Sequence, residues 1–181
     1  MNRSFVFAPD HSGAPLADLK RWLSISTERE DALLLALLGA AITACERFTG
    51  LLPLATLCEE TLDVGSDWSL LATRPVSHIG DVNWFDHTNN RIPVAAEDYE
   101  AHISADGTAR VKPAGSGEHR RIVVRFNAGA ASDWTALDPA LREGILRLAA
   151  QYYRERDEGG AAAVPASVTA LWRPFVKVRL T

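Results

Sequence analysis

The sequence predicts an α+β fold: a small helical bundle carrying an inserted antiparallel β module. Three observations support this. Residues 27–50, TEREDALLLALLGAAITACERFTG, repeat apolar side chains at three- and four-residue steps. A second helical pattern runs from Asp138 through Leu141, Ile145, Leu148 and Tyr152. Between them, over residues 55–129, the apolar period falls to two and turn residues recur.

The elements follow in order. Residues 1–13 read as an N-terminal arm, with large apolar groups only at Phe5, Val6 and Phe7, ordered against a partner. Pro15 suits the first turn of a short helix with Leu16, Leu19 and Leu23 on one face, and residues 24–26 link it to the central helix. In that central helix Thr27 and Glu30 have capping-box spacing, and Glu28, Glu30 and Asp31 set negative charge at the helix start. Leu34, Leu37, Leu38, Ile42, Cys45 and Phe48 form its apolar stripe. Ala36, Gly39, Ala40, Ala41 and Ala44 keep other faces small enough for close helix approach, and Gly50 supplies a left-handed stop.

Beyond Gly50, alternation suggests strands at Leu62 and Val64, at Trp68 and Leu70, and at Val82 and Trp84 with Asn83 and Phe85 opposite. Pro75 bars a central-strand position just before Val76. Residues 86–90, DHTNN, are turn chemistry. Tyr99, Ala101 and Ile103 lead into Asp106-Gly107, a strong hairpin turn, and on to Ala109 and Val111. Ile122, Val124 and Phe126 form the last strand of the module. Asp138 and Pro139 then open the second long helix as N-cap and first-turn residue, with Glu143 and Arg147 paired outside and Gly159-Gly160 as its stop. Pro165 opens a short helical turn through Trp172, which Pro174 ends. Val176, Val178 and Leu180 alternate with Lys177, Arg179 and Thr181, an edge-strand pattern. The chain thus reads as one domain, 1–181: helical part at 15–50 and 138–172, β module at 55–129, C-terminal docking tail at 174–181.

Composition narrows the class. With 181 residues, 47% hydrophobic and 23% charged, the chain has ordinary globular values and room for one core. The longest apolar run, 32–45, is bounded by Asp31 and Glu46 and falls short of the ~18 residues that span a bilayer. Phe5 to Ala8 is too brief an apolar patch for a signal peptide. Two cysteines, Cys45 and Cys58, make no disulfide framework, so a reducing compartment is expected. The net charge of −4 hides an acidic stretch over 51–100 and a basic one over 110–125. Such a division suits a solvated surface, and equally repeated copies meeting head to side.

Candidate chemistry is sparse. His11, His78, His87, His102 and His119 lack the close spacing of a zinc site, and no phosphate loop, nucleophile elbow or HExxH pattern occurs. Asp86-His87 reads as a turn before it reads as half a triad. Glu59-Glu60 and Glu97-Asp98-Glu100 read as solvated carboxylates with ordinary pKa values. Tyr152, Tyr153 and Trp172 read as core and interface. The negative charge argues against sequence-specific DNA binding.

A series of short motifs in order over about 160 residues resembles a known family. They are Leu16-Ala17-Asp18-Leu19-Lys20, Glu30-Asp31-Ala32-Leu33, Ala40-Ala41 to Glu46, and Thr49-Gly50. Arg74-Pro75-Val76, Ile79, Val82, Asp86, Val124, Phe126 and Ala128-Gly129 follow. Pro139, Leu141-Arg142, Ile145, Tyr153, Arg156, Pro165, Val168, Leu171 and Pro174-Phe175 close the pattern. In these the chain resembles the head–tail adaptor (head-completion, or connector) proteins of long-tailed phages and of phage-derived gene transfer agents. It departs from them where Val176 stands in place of an arginine directly after Phe175.

The resemblance implies a structural virion protein with no catalysis, no cofactor and no metal. Such adaptors form a ring, commonly about twelvefold, beneath the portal of a filled capsid. The implied partners are the portal protein, a tail-side stopper or tail-completion protein, further copies of the chain, and DNA passing along the axis without sequence-specific binding; no membrane is involved. The implied location is the head–tail junction of a virion or phage-like particle assembled in the bacterial cytoplasm. Trp172, Phe175, Val176, Lys177, Val178, Arg179 and Leu180 are the expected portal contact, by strand addition to a partner's sheet. The alternative is that this segment completes the chain's own β module. Other readings of the whole chain are a tail-completion or stopper subunit, and a small-molecule-binding protein or enzyme using the β module.

Overall fold

Helices and strands segregate along the chain, as the change of hydrophobic period requires. The computed structural model describes residues 3–7, 9–65, 67–88, 90–114, 121–156 and 163–176. Two compact units result: Asp10–Leu54 with Ala131–Thr181, which is helical, and Met1–Pro9 with Ala55–Ala130, which is sheet. The class is α+β, as predicted.

In the helical unit, α1 (Ala14–Leu23) has Pro15 in its first turn and buries Leu16 and Leu19. Helix α2 (Asp31–Thr49) starts later than the Thr27 capping box predicts, and its N-cap position is held by Glu30 without a side-chain cap bond. Tertiary partners win the acids there. Glu30 accepts a 2.7 Å hydrogen bond from the Tyr153 hydroxyl, and Asp31 pairs with Lys20 at 2.6 Å. Gly50 ends the helix at φ 68°, its N–H donating to the Glu46 carbonyl.

Helix α3 (Pro139–Arg154) is capped as expected, with Asp138 accepting from the Ala140 N–H at 2.8 Å and Arg147 donating to Glu143 at 2.8 Å. Helix α4 (Ala166–Trp172) and a 3-10 turn (Arg173–Phe175) follow. Leu34, Leu38, Ile42 and Cys45 of α2 join Leu141, Ile145 and Leu148 of α3 in one buried cluster. Leu37 is only half-buried. The small residues divide: Ala41 is buried in this cluster and Ala44 packs against it, whereas a Cβ added at Gly39 would meet nothing within 4 Å, and Ala36 and Ala40 are exposed. Although the 32–45 run alone falls short of a span, helix α2 as a whole is long and apolar enough to cross a membrane by length and composition; its buried side chains supply this core. The loop before α3 is tied down by the Trp134 indole N–H, which donates to Asp18 at 2.8 Å.

In chain order the strands of the β unit are β1 (Arg3–Phe5), β2 (Thr56–Asp63), β3 (Ser69–Leu70), β4 (Val76–Phe85), β5 (Arg91–Pro93), β6 (Tyr99–Ile103), β7 (Ala109–Pro113) and β8 (Arg121–Ala128). A five-stranded antiparallel sheet has the order β1-β2-β8-β4-β5, and a smaller one the order β3-β7-β6. Strand β8 is central and buries Ile122, Val123, Val124, Phe126 and Ala128. Two sequence expectations change here. Residues 3–5 are not an arm awaiting a partner; they pair with Glu60, Glu59 and Cys58, which gives their backbone groups a ladder within the chain. Strand β2 begins at Thr56, well before Leu62, because it is flanked on both sides and buries Cys58, Glu59 and Glu60.

The Asp106-Gly107 turn joins β6 to β7, with Ile103 opposite Ala109. Gly107 has φ +76°, and a Cβ there would lie 2.3 Å from the Pro75 Cβ. Conformation and space both require glycine.

Candidate interaction surfaces

The C-terminal segment begins at Pro165, whose extended backbone turns the chain into α4. Seven residues cannot hold a helix alone. Helix α4 is held by Val168 and Trp172, both buried in the helical core. The Trp172 indole N–H donates to the Leu141 carbonyl at 3.3 Å, and its ring meets Phe48 at 5.9 Å and 50°. With Trp172 at 0% exposure, it is core and not a portal contact: burying so large an apolar ring outweighs leaving it on the surface. Phe175 is half-buried against the same cluster. Val176 is 36% exposed. Lys177, Val178, Arg179 and Leu180 lie outside the described residues, as do His119 and the Gly159-Gly160 stop.

The β unit brings together charges that are far apart in sequence. Glu59, on β2, faces Arg125 of β8 in the cross-strand register. Its carboxylate receives bonds from Arg91 at 2.8 and 2.9 Å and from Arg125 at 2.8 and 3.1 Å. Arg125 also reaches Asp81 at 3.4 Å. Hydrogen bonding from Arg91 holds the Glu59 carboxyl below the ordinary range, against burial, which acts the other way. Glu60 accepts from the backbone N–H groups of Ala72 and Thr73 at 2.8 and 3.3 Å. The expectation of two solvated carboxylates therefore fails, and for Glu59 so does that of an ordinary pKa. Both side chains are largely buried, and their oxygens are occupied by structural donors. An open depression of about 500 Å³ beside this cluster is lined by Gly80, Asp81, Asn83, Tyr99 and the two arginines.

Elsewhere the candidates resolve into turns and core. Asp86 accepts from the Thr88 hydroxyl and from the Thr88 and Asn90 backbone N–H groups, which hold its pKa at about 2; it is a turn residue with His87 exposed beside it. His11 is half-buried, burial lowers its pKa, and its Nδ1 has no hydrogen-bond partner. Cys45 and Cys58 are both buried, one in each unit's core. Among the described residues no group of three His, Cys, Asp or Glu gathers as a metal site.

No protein-family model matches the sequence, and no curated protein does. Solved structures do. A chain from the neck of an empty gene transfer agent (GTA) particle, computed with C6 symmetry, shares 28% identity at a TM-score of 0.79. A chain from the native GTA virion and one from the native GTA neck, computed with C12 symmetry, each share 29% identity at a TM-score of 0.78. Each match covers 100% of this chain and 98% of the other. The likeness to a GTA neck component runs from end to end. It therefore spans the helical unit, the β unit and the C-terminal segment alike. Sequence reasoning had no access to the Glu59 cluster, which depends on strand register. It passed over Gly144, although an isolated glycine inside a strong helical pattern is a recognised sign of close packing.

Proposed function

We propose that this chain is a structural subunit of the neck of a phage-like particle and, within the neck, the head–tail adaptor. In this reading copies of the chain form a ring under the portal, join the DNA-filled head to the tail, and leave an axial passage for DNA. The carrying observation is the full-length similarity to chains of GTA necks, one of them computed with C12 symmetry. A ring of identical chains makes heterologous contacts that close. The charged side chains of the β unit suit a structural role, because Glu59, Glu60, Asp86, Arg91 and Arg125 are engaged with each other and with backbone groups.

The portal contact is assigned to the segment from Phe175 onward, with Val176, Val178 and Leu180 as its apolar row and Lys177 and Arg179 as its cations. Added to the edge of a portal strand, this row gains backbone hydrogen bonds and burial, and the cations set rate and register. Truncation after Pro174 tests it. The shortened protein, which also loses the half-buried Phe175, is expected to stay folded at a somewhat lower melting temperature, and to lose co-sedimentation with purified portal rings, so that filled heads accumulate without tails. A shortened protein that still binds portal would place the contact elsewhere. A full chain that binds purified tail-side stopper but not portal would make it a different neck subunit.

A further inference from the structure

Gly144 lies in the middle of α3, where glycine weakens a helix relative to alanine. What occupies the space is Trp172. A Cβ on residue 144 would fall 2.2 Å from the indole Nε1, 2.8 Å from Cε2 and 3.0 Å from Cδ1. The indole therefore lies directly on the α3 backbone, its N–H on the Leu141 carbonyl and its ring against Phe48 of α2. Gly144 and Trp172 are both buried, so this contact belongs to the interior of the helical unit.

Its location matters. Helix α4 has seven residues, and Trp172 is the last of them. Three residues of 3-10 turn follow, of which Arg173 and Pro174 are exposed and Phe175 half-buried, and Val176 is exposed after them. The last large, fully buried side chain before the C-terminal segment is thus a tryptophan seated in a notch that only glycine leaves open.

We propose that Trp172 is a positioning residue for the C-terminal segment, and that Gly144 is its socket. Seated over Gly144, the indole fixes the point from which the chain leaves the helical core toward Phe175 and Val176, so partner binding need not order this root. Ordering the root in advance raises affinity without adding a contact. This rests on the portal-docking role proposed above, and supplies Trp172 with a role through the segment in place of direct contact.

The test compares portal-ring binding by the full-length chain and four variants, at a temperature where circular dichroism shows each one folded. Gly144→Ala is expected to displace the indole and weaken binding by about tenfold or more. Trp172→Phe, which keeps a ring but loses the N–H, is expected to weaken it by less, about threefold. In the double variant Gly144→Ala/Trp172→Phe the smaller ring leaves room for the methyl group, and binding recovers toward that of Trp172→Phe alone. Leu19→Ala, a cavity in α1 of the same unit, destabilises the fold but leaves portal affinity unchanged. If Gly144→Ala does not fold, the Trp172→Phe affinity against the Leu19→Ala control decides.

Truncation after Pro174 separates the two readings. If truncation leaves portal binding intact, the docking role is lost and the positioning role with it. If truncation abolishes binding while Gly144→Ala and Trp172→Phe bind as the full chain does, docking stands and the positioning role is overturned. The positioning role is likewise overturned if Leu19→Ala weakens binding as much as Gly144→Ala does.

Discussion

Glu59 holds Arg91 and Arg125 through bonds of 2.8 to 3.1 Å while its own side chain is 11% exposed. Replacing the carboxylate with an amide leaves Arg91 without the counter-charge it pairs with here and Arg125 with only its 3.4 Å contact to Asp81. Glu59→Gln is expected to cost about 1–3 kcal/mol in denaturant melts, because both arginines can turn to water. A change under ~0.5 kcal/mol, the size of an ordinary surface substitution, would show the cluster to be energetically idle. Glu59, Asp86 and Asp133 all have folded pKa values below their unfolded ones. Their stabilisation is complete above the unfolded carboxylate range of about 4 and is lost as pH falls through the lower folded values. His11 acts earlier. Its folded pKa is lowered by burial, so the unfolded chain takes up the proton first and stability begins to fall below about pH 6.5. Melting temperature measured against pH should therefore decline in two stages, and His11→Gln should remove the first. Burial pushes the Cys45 thiol up to about 12, so a maleimide at neutral pH should label it only after unfolding.

At the scale of elements, the α2–α3 seam carries the helical unit. Leu38 is fully buried in the cluster that also contains Leu141, Ile145 and Leu148. Leu38→Ala is expected to cost about 2–5 kcal/mol, read from the denaturant midpoint; a loss typical of surface sites would mean that this face is not core. The β6–β7 hairpin depends instead on backbone geometry. Gly107→Ala sets a Cβ against Pro75 and forces a side chain into the left-handed region, so it should cost about 1–3 kcal/mol and accelerate amide exchange at Ser104 and Val76, which bond across this turn.

At the scale of the whole molecule, the relevant surfaces are those that meet other chains. In the proposed ring, the net charge of −4 would oppose association at long range, and contact between the basic stretch over 110–125 of one copy and the acidic stretch over 51–100 of the next would favour it at short range. Self-association, followed by light scattering at high protein concentration, is expected to slow as salt rises from ~0.05 to ~0.5 M, since the screening length falls from about 14 to 4 Å. Association insensitive to salt would assign the contact to apolar groups. Among the described residues, the most exposed large side chains available for that are Phe7, Leu70, Trp22 and Ile92.

The sequence by itself determined the class, the order of elements and most helix and turn signals. These rest on local physics: a period of 3.6 or 2, the Asp138 cap, Gly50 and Gly107 at left-handed positions. Each acts within a few residues, so each is legible in the string. The ordered motifs also pointed to a phage-like particle, and the structural neighbours come from such particles. What the tertiary structure decided are interactions between residues distant in sequence. Thr27 lost its cap role because Tyr153 and Lys20 engage the neighbouring acids Glu30 and Asp31. Glu59 became buried because sheet register sets Arg125 opposite it and β5 brings Arg91 within reach. Trp172 moved from the expected contact surface to the core because Gly144, 28 residues earlier, leaves a space of its shape. Local propensity contains no term for a partner that arrives only when the chain has folded.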